Sequence, residues 1–152
     1  MKRIWIYGLL MAMTLAAPAK RNDLGKLHPV ELIKAHRENG DVVLETDTGA
    51  KGKGKDIASA IQNLKDTTAG IVFLDTADYL LIGKEEDDLI MELKGYLKRK
   101  TRVCYAPQTV DPEETTGFVT VHTPKMEIGR WKMGDKVGKL EYYDGRLCLN
   151  EK

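Results

Sequence analysis

The stretch Gly49 to Asp56 reads GAKGKGKD and fits the phosphate-binding pattern G-x-x-x-x-G-K-[ST] at seven of its eight positions. In such a loop backbone N–H groups cradle phosphates, the lysine reaches them, and a Ser or Thr hydroxyl binds magnesium. Here position 56 is Asp, and a carboxylate at that helix start repels the phosphate the loop must hold. The same residues also fit a basic strand-to-helix turn. Gly49, Gly52 and Gly54 would permit positive backbone angles, and Lys51, Lys53 and Lys55 would solubilise it. A second pair, Asp75 and Asp78 in LDTADY, has the spacing to hold a metal or to act as acid and base. Aspartates at such positions also make side-chain turns between buried strands, and no third ligand stands nearby in the sequence.

Other chemistry is sparse. His28, His36 and His122 are scattered without ligand spacing, and G-x-S-x-G is absent. No Ser-His-Asp or Cys-His set can be argued, so no catalytic residue, metal or cofactor is expected. Trp131, in a segment patterned as a late amphipathic strand, joins Tyr142 and Tyr143 as a candidate aromatic surface for a partner. Core packing competes for at least one of the three.

Positioning these residues needs one domain. The 152 residues are 42% hydrophobic and 31% charged with a net charge of +1, which points to neither nucleic acid nor an acidic surface as partner, and Asp56 argues against a nucleotide. Residues 1–19 differ: Lys2 and Arg3, then IWIYGLLMAMTLAAPA without charge. Basic start, apolar centre and a small-x-small end make a signal peptide or an N-terminal anchor, so residues 20–152 are expected outside the cytoplasmic membrane. Cys104 and Cys148 can pair in that compartment, or stay free as small apolar residues.

Asn39-Gly40 and Asp144-Gly145 mark hairpins. Ile57, Ala60, Ile61 and Leu64 form one helical face, with Asp56 as its cap. A second helix over 84–100 carries acids first and bases last. GIVFL, YLLIG and TRVCYA read as strands, as do MEIGRWKM, KVGKLEYY and GRLCL. DPEETTGFVTVH opens like a helix but is rich in β-branched residues. We expect an α+β fold: a mixed β-sheet, two main helices on one face and a C-terminal β-hairpin.

The order of RNDLGKLHPVELIKAHRENGDVVLETDT and GKGKDIASAIQNLKDTTAGIVFLDTADYLLIG resembles the N-terminal domain of the spore nutrient germinant receptor C subunits, the Ger(x)C family. The likeness runs over about residues 21–106 and rests on element order, not on any single motif. It implies a non-enzymatic role in sporulation or germination, through protein partners at or near a membrane. It carries over no catalytic residue. Those subunits have a lipidated cysteine after the signal, whereas this chain reads LAAPAKRND there. The alternative is a small extracytoplasmic ligand- or metal-binding protein that uses the Gly49–Lys55 loop with Asp75 and Asp78.

Overall fold

A computed structural model describes residues 27–151. The signal or anchor segment over residues 1–19 lies outside the described residues. Nine strands and three α-helices follow in the order β1 (Leu27–Pro29), β2 (Leu32–Glu38), β3 (Asp41–Thr46), β4 (Lys51–Gly54), α1 (Ile57–Thr67), β5 (Ile71–Phe73), β6 (Tyr79–Ile82), α2 (Asp87–Leu93), β7 (Arg102–Tyr105), α3 (Pro112–Val121), β8 (Gly138–Tyr143) and β9 (Arg146–Asn150). Seven strands form one mixed sheet in the order β4-β3-β2-β6-β7-β8-β9, and β1 pairs with β5 in a separate parallel pair. The fold is α+β, with the expected C-terminal hairpin.

Both predicted hairpins form. Asn39 and Gly40 have φ of 53° and 85°, and Asp144 and Gly145 have 48° and 73°. These are the paired positive angles that match a two-residue loop to the strand twist. Between the two edge hairpins, β2, β6, β7 and β8 run parallel. Their side chains alternate, so Ile33, Ala35, Leu80, Ile82 and Val103 share one core with α1 and α2. Leu32, Leu81, Cys104 and Leu140 share another with Val119 of α3. A sheet buried on both faces needs strands that are apolar in register with both, which is why YLLI carries no alternation.

The segment 111–122 is therefore a helix, and it packs on the face opposite the other two. Asp111 Oδ1 accepts the Glu113 and Glu114 N–H groups at 2.9 and 3.2 Å, and Pro112 opens the first turn. The β-branched residues are absorbed because the Thr116 and Thr120 hydroxyls donate to carbonyls one turn back, each at 2.8 Å. The second predicted helix is shorter than 84–100, with its regular part confined to α2.

GAKGKGKD departs most from expectation. Lys51–Gly54 is not a loop but an edge strand, antiparallel to β3. Of its glycines only Gly49 has positive φ, 79°. Gly52 and Gly54 are there because α1 lies directly on them. A Cβ on Gly52 would sit 2.3 Å from the Ala60 carbonyl oxygen, and one on Gly54 2.4 Å from the Ala60 nitrogen. Asp56 caps α1 as expected, accepting the Ser59 N–H at 2.7 Å while Ser59 Oγ accepts the Asp56 N–H at 3.1 Å.

Gly52→Ala and Gly54→Ala should each cost about 3 kcal/mol, since helix or strand backbone must move. Gly49→Ala, with nothing within 4 Å of its Cβ, should cost only about 1 kcal/mol for the left-handed angle. Urea denaturation of the three variants checks the order; equal losses would contradict the close approach.

Candidate functional site

The chain leaves β6 towards α2 on one face and leaves β7 towards α3 on the other. Neighbouring parallel strands whose exits diverge leave a crevice at their C-terminal ends, where open α/β sheets take ligands. Such a cavity, of about 510 Å³, is present here. Gly83 and Lys84 after β6 line it, with Tyr105 and Gln108 from the end of β7 and Lys139 and Tyr142 from β8. β8 pairs with β7 only through Gly138 and Lys139, so the β8–β9 hairpin rises beyond the β7 end and walls the crevice.

Side chains from several elements brace this end. Glu86 Oε1 accepts the Arg37 N–H at 2.8 Å, and Arg37 pairs with Asp88. Glu85, immediately before Glu86, holds a left-handed φ of 70°. Tyr105 Oη donates to Asp87 Oδ1 at 2.5 Å. Burial, then the Asp87 carboxylate, pushes the Tyr105 phenol up to about 12. Beneath, Lys34 on β2 is 5% exposed. Its Nζ donates to the Gln108 carbonyl at 2.6 Å, the Val110 carbonyl at 2.9 Å and Glu45 Oε2 at 3.0 Å. The loop after β7 is thereby fastened to the sheet. Burial pushes the Glu45 carboxyl up, but the hydrogen bonds of Lys51 and Lys34 outweigh it and hold it below the usual carboxylate range.

The aromatic set predicted from sequence is split. Tyr142 and Tyr143 are 51% and 73% exposed, near the hairpin tip. Trp131 is 0% exposed in the core beneath α1 and α2, so it is no part of a contact surface. Its segment is a turn and not a strand. Ile128 N–H and Gly129 N–H donate to the Thr101 and Arg99 carbonyls at 2.8 and 2.9 Å, which aims the indole inward.

The phosphate and metal constellations are not assembled. Lys51 pairs with Glu45 at 2.5 Å, Lys53 with Glu38 at 3.2 Å and Lys55 with Asp41 at 2.6 Å. Backbone groups of β4 ladder with β3 and do not converge on an anion site. Asp78 pairs with Lys98 at 2.5 Å, while Asp75 is exposed beside a groove containing Ile71, Phe73 and Tyr96. β6 and β4 are three strands apart, about 14 Å, so the aspartates and the basic strand share no site. Among the described residues no group of three or more His, Cys, Asp or Glu is placed to hold a metal.

The cysteines are free. β8 separates their strands, a span of about 9.6 Å that no disulfide bridges without backbone movement. Burial, then the Glu151 charge, pushes the Cys104 thiol up to about 12, while Cys148 is exposed.

Sequence reasoning missed Lys34, Glu86 and Gln108. The lone lysine in the apolar run ELIKAH was a usable signal, because a buried ammonium must find acceptors. Compared with protein-family models, curated proteins and solved structures, the chain gives no match.

Lys34→Met strands the Gln108 and Val110 carbonyls and leaves Glu45 with Lys51 alone, so it should cost about 3 kcal/mol in chemical denaturation; a neutral result would show that the network holds nothing. His36, also buried on β2, has an Nδ1 without a hydrogen-bond partner. Burial, then the Lys34 charge, holds its imidazole below the usual value against the opposing pull of Glu45, Glu86 and Glu38. The folded state thus prefers neutral His36. Its contribution is complete above about pH 6.5 and is lost as pH falls below that. Urea midpoints measured from about pH 7 to about pH 5 should fall in the wild type, and fall less in His36→Gln.

Proposed function

We propose that the chain is a non-enzymatic interaction domain whose contact surface is the β8–β9 hairpin tip and the crevice beside it. The observation that carries this is the pair Tyr142 and Tyr143, exposed on a hairpin that stands beyond the end of β7. Aromatic rings on a rigid element anchor interfaces, since they bury a large area and lose little rotamer entropy. The crevice adds polar groups of both signs, Lys84 and Glu86 among them.

Polarity along the sheet sets the direction in which the hairpin tip is presented. β1 lies at the entry end of the parallel strands, and the hairpin tip lies at their exit end. If the uncharged run at the N-terminus is retained as an anchor, the tyrosines face away from that attachment. The resemblance to germinant-receptor C subunits supports assembly work in sporulation or germination, outside the cytoplasmic membrane. The partner class is then a membrane-held protein, with no nucleotide and no cofactor involved.

A photo-cross-linking amino acid at position 143, in a spore-forming host, tests this. It should give a discrete adduct with a membrane-associated protein, and the same probe at Thr120 on α3 should not. Tyr142→Ala combined with Tyr143→Ala should abolish partner capture and change stability by about 0.5 kcal/mol or less, as exposed positions do. Capture that survives both substitutions would remove the hairpin tip from the interface.

A further inference from the structure

The two edges of the main sheet are built differently. β4 carries Lys51 and Lys53 at its edge, charges that discourage addition of another strand. β9, Arg-Leu-Cys-Leu-Asn, has neither lysine nor proline, and among the described residues no strand covers its outer side. Tyr143 and Arg146 flank the two-residue turn, so the Arg146 N–H closes it onto the Tyr143 carbonyl. The ladder alternates from there. Cys148 points its backbone groups at β8, and Leu147 and Leu149 point theirs outward.

We infer that β9 pairs antiparallel with β9 of a second copy, about a two-fold axis at Cys148. This goes beyond the proposed partner surface and does not rest on it. Centring the pair on Cys148 sets Leu147 opposite Leu149 of the other copy, and Leu149 opposite its Leu147. Both are hydrogen-bonded pairs, so the four outward N–H and C=O groups of each strand's two leucines are satisfied together. The leucine side chains, only partly covered by the Phe118 side of the core, then cover each other. Centring on Leu147 instead sets Leu149 against Gly145, and centring on Leu149 sets Leu147 against Glu151. Only the Cys148 centre is self-complementary, which is why a second copy is the occupant argued for over an unrelated strand.

At that centre the two Cys148 residues form a non-hydrogen-bonded pair, the closer of the two kinds, with Cα atoms about 4.5 Å apart. Such a separation lies within the range a disulfide spans. A five-residue ladder buries less than a standard stable interface, so the dimer is concentration-dependent.

Sedimentation of the full-length reduced chain over a concentration series should show a monomer–dimer equilibrium. Cys148→Arg sets like charges face to face at the axis, and it should weaken dimerisation at least tenfold. Leu147→Pro removes an outward N–H without touching the β8 ladder, and it should do the same; circular dichroism and a thermal melt establish that each variant folds. Diamide, reduced to its hydrazine as two thiols give up two hydrogens, should join wild-type chains through Cys148 rapidly. It should join Cys148→Ser/Thr120→Cys chains, with a thiol on α3, at least tenfold more slowly. A chain monomeric at every concentration, a dimer unchanged in folded Cys148→Arg, or equal cross-linking at position 120 would each overturn the inference.

Discussion

The close approach of α1 to β4 is the constraint on which the rest of the molecule depends. Gly52 and Gly54 leave that edge of the sheet without side chains on the helix side, so backbone meets backbone. The apolar stripe Ile57, Ala60, Ile61 and Leu64 can then reach past the edge onto Val42, Leu44, Ile33 and Ala35. With one face of the sheet closed at its edge, the chain returns to make β6 parallel to β2. A Cβ at either glycine lifts the helix and opens the first core from its end, and close-packed interiors tolerate little such displacement.

The second face follows from the strands themselves. Leu32, Leu81 and Cys104 would lie bare if all helices packed on the first face, so α3 covers them. That change of side between β6 and β7 opens the crevice and lets the last hairpin rise beyond the sheet. Lys34 lies on this second face among apolar neighbours. Its charge is bearable only because two carbonyls from the loop after β7 and the Glu45 carboxylate all accept from it. A polar residue in a buried strand thus specifies where a loop lies. Through that loop it sets one wall of the crevice.

Parts of this were legible in the sequence, because their causes are local. Asn39-Gly40 and Asp144-Gly145 select their turns by backbone angle alone. Asp56 and Asp111 cap helices by bonding N–H groups two and three residues away. The stripe of α1 is visible as periodicity. The exposure of Tyr142 and Tyr143 was anticipated as part of an aromatic surface. Trp131 does not share that exposure: by pattern, a turn tied to the start of β7 looks the same as an amphipathic strand.

What the sequence alone determined, then, is a set of features with a range of a few residues, the two hairpin turns, the Asp caps and the α1 stripe, together with the mixed α+β character. Tertiary structure alone decided the rest. It made GAKGKGKD a strand, because a glycine required for a neighbour's approach looks the same in sequence as one required for a positive angle. It set the third helix on the opposite face, because burial and not propensity chose its partner. It separated Asp75 and Asp78 from the basic strand and Cys104 from Cys148, because strand order is fixed by long-range pairing. It gathered Lys34, Glu86 and Gln108 at one end of the sheet, because a buried charge takes acceptors wherever the fold brings them.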